Sequence, residues 1–442
     1  MKFRIFDFRV AVASAVFAAS TANAAPSLND LICLALSNNP ALRSADCKVA
    51  SAKAQAGQAK SAWLPQVKTS AQYARTDNPP QAFFMELNQR RASLQNDFNN
   101  PGDVENMRLS ASAGWLLFDG GQRNAMVKMA ELGTVAQRLA KAAAVNNLVH
   151  DVTHGFYGAL QARDAVEVAA SAVKSIEESL RLAQTRVNAG AAMKSDALNL
   201  EVKLAEAKQR QIQARNGFAF AIASLNTEIG KDAVSADALK SVTDVTPLAT
   251  SSDSSIEQRP ELQAAQKLVQ IKKEALQKAR RAYSPTLSAF GSVDWDSDVS
   301  SDFQRSYMAG AAVEVELFDG GRRSKGVAQA YADCQAAQAD AELSQRQLQL
   351  DLTQAKLQLD DASSRREVAS AATASAEEAL RLTRERYQQG AADISELLNA
   401  ETAQTASRSN ASSAEYEVLI AQSNLARAQG AYAARYENSV KE

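Results

Sequence analysis

Histidine is nearly missing from this 442-residue chain, which has two, His150 and His154. Nucleophilic triads set a histidine between partners from elsewhere in the fold, and two histidines four residues apart offer little for one. The pair in "HDVTH" is spaced to grip a zinc ion from one helix face. However, Asp151 stands where the metalloprotease pattern needs glutamate and no third ligand stands out, so structural or solvent-facing histidines are expected. No catalytic constellation is found elsewhere, so the sequence points to no enzyme, no cofactor and no metal site. A long apolar run is also lacking, which excludes a membrane-spanning helix of about 18 residues or more and leaves only strands as a route into a bilayer. Lys and Arg (49) balance Asp and Glu (50), so there is no basic excess to suggest nucleic acid. Aromatic residues make up only 6%, and abundant Ala, Gln, Glu and Arg argue for long helices.

Cysteine is equally sparse, with Cys33, Cys47 and Cys334. Cys33 and Cys47 flank "LALSNNPALRSAD", where Asn39-Pro40 should turn the chain back on itself. A disulfide stapling that hairpin and two unpaired small hydrophobes are both open readings. Cys334 is expected to be a free helix residue. At the N-terminus, Lys2, Arg4 and Arg9, the apolar Val10–Ala19 and the site Ala22-Asn23-Ala24 compose an export signal over 1–24. Its removal takes the formal net charge from −1 to about −3.

What is present is repetition. "LFDGGQRN" from Leu117 returns as "LFDGGRRS" from Leu317. The two glycines suggest a phosphate loop, but neither nucleotide fingerprint is completed. "LRLAQTRVNAGAAMKSD" (Leu180–Asp196) likewise faces "LRLTRERYQQGAADISE" (Leu380–Glu396), and "NPAL" from Asn39 faces "RPEL" from Arg259. The chain is therefore a duplicated domain with a first repeat over 25–230, a linker over 231–255 and a second repeat over 256–442. Period-two alternation predicts strands at about 65–79, 106–118, 285–298 and 306–318, long enough to cross a bilayer at a tilt. Helical periodicity predicts long helices at about 121–188, 196–229, 321–388 and 394–436. A single helix from Gly121 to Asn188 would be about 100 Å long, more than anything globular needs. The repeated phrase then reads as a strand-to-helix joint. Asp119 or Asp319 caps the helix, and Gly120-Gly121 or Gly320-Gly321 absorb the turn.

Four strands cannot close a barrel, and open sheet edges are forbidden in hydrocarbon, so several chains must pool their strands. Two chains would supply eight strands with a filled interior; three would supply twelve, enough for a lumen. In its paired helix openings, paired LFDGG joints and paired tips the sequence resembles the TolC-like outer-membrane efflux proteins. The resemblance implies a homotrimer with a 12-stranded β-barrel in outer-membrane lipid, continued by a periplasmic α-helical barrel. It further implies a periplasmic adaptor and an inner-membrane transporter as partners, serving drug or metal efflux or, alternatively, type I protein secretion. A soluble periplasmic coiled-coil scaffold is the rival of a different class.

By the same resemblance the tips form the periplasmic gate. Gly190 and Gly390 mark the turns, Tyr387 matches a gating tyrosine, Ser195 matches its hydroxyl partner, and Asp196 and Glu396 match constriction carboxylates. Ala392 stands where a gating arginine would sit, and Asn399 replaces a second carboxylate. On the residues alone, Asp196 and Glu396 could equally cap their helices. The stretch holding "FFMEL", Arg90 and Arg91 is expected to be an external loop, and the sequence leaves open whether it folds inward over the barrel mouth.

Overall fold

The computed structural model describes residues 27–436 apart from Leu94, Asn96, Phe98, Ser241, residues 243–255 and Val299. The expected signal peptide and most of the expected linker lie outside the described residues. The first repeat runs α1 (Leu28–Asn38), α2 (Pro40–Ser61), β1 (Gln66–Thr76), α3 (Pro79–Asn88), β2 (Val104–Phe118), α4 (Gln122–Asn188) and α5 (Lys194–Ile229). After the short α6 (Ala236–Lys240), the second repeat runs α7 (Pro260–Arg281), β3 (Thr286–Ser297), β4 (Gln304–Glu314), α8 (Arg322–Gln388), α9 (Ile394–Gln429) and α10 (Ala431–Tyr436). Helices α4 and α8 have 67 residues each. At the rise of an α-helix that makes rods of about 100 Å.

The strands form one antiparallel sheet in the order β1-β2-β3-β4, so the β2–β3 pairing joins the two repeats. Its register sorts the side chains by face. Arg108 lies opposite Asp296, Ser110 opposite Asp294 and Ser112 opposite Ser292, while on the other face Leu109 meets Trp295 and Ala111 meets Val293. Strand β1 extends the polar face with Gln72, Ser70 and Lys68. Strands β1 and β4 are the two edges, each unpaired on its outer side within the chain.

Among the described residues the largest core forms where α1, α4, α5, α9 and α10 meet, around Ile32, Val149, Val152, Tyr157, Leu160, Leu225, Ile229 and Tyr432. Elsewhere the helices touch through narrow stripes such as Ala362, Val418 and Ala421. Leu343, Leu350 and Leu357, which step by seven along α8, stand exposed in the single chain.

Several expectations are corrected. Strand β4 ends at Glu314, short of residue 318, because its last partner is Thr286, the first residue of β3. Strand β1 ends at Thr76, and Pro79 opens α3 inside the stretch read as a loop. The last helix is split at Gly430, whose φ is 73°. That left-handed conformation is the one that ends a helix. Of the two readings left open for Cys33 and Cys47, the structure has the unpaired one, both thiols being free and exposed. Each lies outside the buried stripe of its helix, formed by Leu28, Leu31, Ile32 and Ala35 in α1 and by Leu42, Val49, Ala52 and Ala56 in α2. Cys334 is free and buried.

Candidate functional site at the helix tips

The two strand-to-helix joints hold the helical hairpins under the sheet, and they share one construction. Asp119 accepts hydrogen bonds from the backbone N–H of Gly121 (3.0 Å) and Arg123 (2.7 Å), and Asp319 does the same for Gly321 (3.0 Å) and Arg323 (2.8 Å). Both glycines of each pair have φ between 67° and 88°. That conformation disfavours any side chain. Burial works against ionisation of Asp319, but the hydrogen bonds from Arg323 and Gly321 prevail and hold its carboxyl below the usual range. The arginine four residues after each aspartate completes the joint. The Arg123 guanidinium lies 4.1 Å from the centre of the Trp63 ring, and that of Arg323 lies 4.9 Å from Tyr283. At these distances each cation is held over an aromatic face. Sequence reading passed over this arginine although it recurs in both copies of the phrase.

At the far end, α4–α5 and α8–α9 turn with the same backbone. Gly190 (φ 73°) and Gly390 (φ 77°) each donate to the carbonyl three residues back, and Ala191 and Ala391 donate to Arg186 and Arg386 at 2.8 Å. Each arginine also donates back to its own turn, at 3.2 Å for Arg186 to Ala191 and 3.1 Å for Arg386 to Ala391. There the copies diverge. Arg386 stays local and pairs with Glu396 at 3.2 Å. Arg186 reaches across to the other hairpin, donating to the Tyr387 carbonyl and placing its guanidinium 4.7 Å from the ring centre.

Tyr387 is 2% exposed, packed with Leu182, Leu380, Ala392 and Leu397, and its hydroxyl has no hydrogen-bond partner. Burial pushes its pKa up, with Arg186 opposing and Asp196 adding. Ser195 donates to Asp196 at 3.4 Å instead of meeting Tyr387. Asp196 accepts the Met193 N–H at 3.2 Å. It thereby caps α5. Asp393 caps α9 by accepting the Glu396 N–H at 2.8 Å, leaving the Glu396 carboxylate exposed. Asn399 is exposed on the same helix. The tips thus bring Arg186 to Tyr387 and Arg386 to Glu396, and Ser195 and Asp196 serve their own turn.

A second link lies farther along the helices from the tips. Glu401 of α9 is 3% exposed and accepts from Ser175 Oγ (2.7 Å), Ser179 Oγ (2.8 Å) and Arg384 Nη2 (2.6 Å). Three helices, α4, α8 and α9, therefore meet at one buried carboxylate. Ser171, a turn before Ser175, accepts from Arg408 at 3.1 Å, and Arg408 pairs with Glu377 at 2.7 Å. Sequence reading missed this ladder. Its signal is the serine at every fourth position, 171, 175 and 179, which sets one hydroxyl stripe on a helix face.

His150 and His154 take no part in either link. His150 Nε2 lies 2.8 Å from Asn424 Oδ1 and Nδ1 lies 2.9 Å from Asp151, and no metal-binding group of acidic, histidine or cysteine residues occurs among the described residues.

A family model described as outer membrane efflux protein matches residues 31–231 and 252–431. Protein CyaE of Bordetella pertussis is 26% identical over 322 residues, 70% of this chain and 64% of that protein. The alkaline protease secretion protein AprF of Pseudomonas aeruginosa is 23% identical over 285 residues, 62% of this chain and 59% of its own. The matches therefore span about three fifths of these curated relatives. The CmeC outer membrane channel of Campylobacter jejuni superposes with a TM-score of 0.79 at 15% identity, covering 94% of this chain and 89% of that one, which is a likeness of fold.

Proposed function

The chain belongs to the outer membrane efflux protein family, and on that premise we propose that it is the exit duct of a tripartite efflux system. It conducts cargo passively from a periplasmic adaptor and inner-membrane transporter to the exterior. The observation that carries this reading is the sheet. Its strands of 11 to 15 residues have one apolar and one polar face, and both edges stand open. Edges of that kind are tolerated in lipid only when other strands close them. A soluble coiled-coil scaffold has no use for such a sheet.

The unequal surroundings of the two joints support assembly with further copies, and the proposed assembly is a homotrimer. The first joint is filled within the chain: Arg281 donates to Gly121 O at 3.0 Å, and a Cβ on Gly120 would come within 2.2 Å of Ser284 Cβ. A Cβ on Gly320 or Gly321 would meet nothing within 4 Å. By the internal repeat, the missing neighbour is the α2–β1 corner of another copy. Three copies give twelve strands and a lumen, with the apolar faces toward outer-membrane lipid. The Arg186–Tyr387 and Glu401 links then hold the hairpins together in a closed entrance, and a ring of Glu396 carboxylates favours cations. Contacts with the adaptor shift the closed–open equilibrium, since the duct has no energy source of its own.

A second cargo reading, type I protein secretion, is favoured by the likeness to a protein named for alkaline protease secretion. Membrane fractionation and sizing of the detergent-extracted chain test the proposal. A trimer in the outer membrane is expected; a soluble periplasmic monomer overturns it.

A further inference from the structure

We infer that α3 is an outward constriction of the duct, clasped across the polar face of the sheet and limiting the size of what leaves; this rests on the duct reading. Strand parity supplies the side. Asn106 and Arg108 share the face of Asp294, Asp296 and Ser112, the polar face, which in a closed barrel looks into the lumen. Gln89, the residue following α3, donates from Nε2 to Asn106 Oδ1 at 3.0 Å and to Glu105 O at 2.7 Å. Asn106 donates to Asp296 Oδ1 at 2.7 Å, and Arg108 Nε donates to the same oxygen at 2.7 Å. Asp296 is 1% exposed and Asn106 is 5% exposed in a sheet whose other residues lie mostly open, so α3 and its exit cover this end.

The clasp continues past β2. Arg91 forms an ion pair with Asp298, and Arg90, held at φ 57°, donates to Arg305 O at 3.3 Å. Helix α3 is thereby tied to both sides of the β3–β4 connection and cannot move clear of the mouth without breaking these bonds. Its Ala82 is buried, whereas Phe84 and Leu87 are exposed in the single chain, so the helix keeps apolar side chains outside its contact with the sheet. Two buried oxygens of the clasp, Gln89 Oε1 and Asp296 Oδ2, have no hydrogen-bond partner.

The test places a cysteine below α3, on the lumen face of β3, as Ser292→Cys in the full chain with Cys33, Cys47 and Cys334 replaced by serine. Intact cells are treated with a small impermeant maleimide and with a polymer-linked one. With the clasp intact, the small reagent labels and the polymer-linked reagent does not. Adding Arg91→Glu admits the polymer-linked reagent, and adding Asp298→Arg to that variant restores its exclusion. Equal labelling by both reagents with the clasp intact, or exclusion unchanged by Arg91→Glu, overturns the constriction while leaving the duct in place. No labelling even by the small reagent overturns the duct reading, and the constriction with it.

Discussion

A tyrosine at a helix tip invites the assumption that its hydroxyl works, yet at Tyr387 the ring and the backbone carbonyl carry the contact with Arg186. The hydroxyl is buried without a partner, which costs about 1–3 kcal/mol relative to a satisfied one. Tyr387→Phe should therefore leave the gate as tight as before, and Arg186→Ala should make cells take up a bulky antibiotic. Leakage from the phenylalanine variant would return the role to the hydroxyl. At Glu401 the carboxylate itself matters, because alanine there removes the near partner of Arg384 at 2.6 Å and leaves it only the longer pair with Glu178 at 3.8 Å and the Ser175 hydroxyl. Removing one partner of a buried pair costs roughly 3–5 kcal/mol. The Arg384 side chain is 28% exposed. Solvent at that cation should reduce the cost to about 2–3 kcal/mol. Glu401→Ala should lower Tm and raise leakage together; leakage unchanged at a lower Tm would make the link purely structural. His154 supplies the pH dependence. Burial, with His150 adding to it, holds its imidazole below the usual value. The unfolded chain then binds more protons on the acid side, so stability falls as pH drops through about 6.5. His154→Gln should flatten that acid slope in a melting series; an unaltered slope would remove His154 from it.

Elements differ in how far a single chain of letters announces them. The joints were legible because the turn demands chemistry that few residues supply: paired glycines with positive φ, and an aspartate three residues ahead of the first helical residue. The long helices α4 and α8 were legible because no proline or helix-ending glycine interrupts them. What stayed hidden depends on neighbours distant in sequence. Strand β4 stops where β3 provides no further partner, although Val315 and Leu317 continue the alternation. The path of α3 across the polar face of the sheet follows from Asn106 and Asp296, which no local pattern connects to Gln89. Glu401 reads as a surface glutamate until α4 of the other repeat lays serines beside it. The joint glycines give an element-scale test, since Gly121 and Gly321 both hold a positive φ. A side chain in the left-handed region costs about 1 to about 2 kcal/mol per residue. Gly121→Ala and Gly321→Ala should each destabilise the chain by that amount. Equal stability to the unsubstituted chain, by thermal melting, would mean that the joints relax without strain.

At the scale of the whole molecule, duplication leaves one joint unfilled and two sheet edges unpaired within the chain. Within one chain the repeats contact in sequence order, first joint against second-repeat corner, and the second joint is left facing open space. The exposed Leu343, Leu350 and Leu357 of α8 and the open edges of β1 and β4 belong to the same deficit. The proposed ring would remove all of them with one operation, since the last repeat of each copy would meet the first repeat of the next. Gly120 and Gly320 then separate folding from assembly. Gly120→Ala forces a Cβ against Ser284 inside the chain and should lower the yield of folded protein whatever the oligomeric state. Gly320→Ala meets nothing within the chain. Apart from the strain of its φ of 67°, it should leave the single chain folded and weaken the proposed contact with the α2–β1 corner of the neighbouring copy. Size-exclusion chromatography in detergent should show folded Gly320→Ala chains shifted from trimer to monomer, and misfolded material from Gly120→Ala. Trimers as stable as the unsubstituted ones from Gly320→Ala would place the ring contact elsewhere on the second repeat.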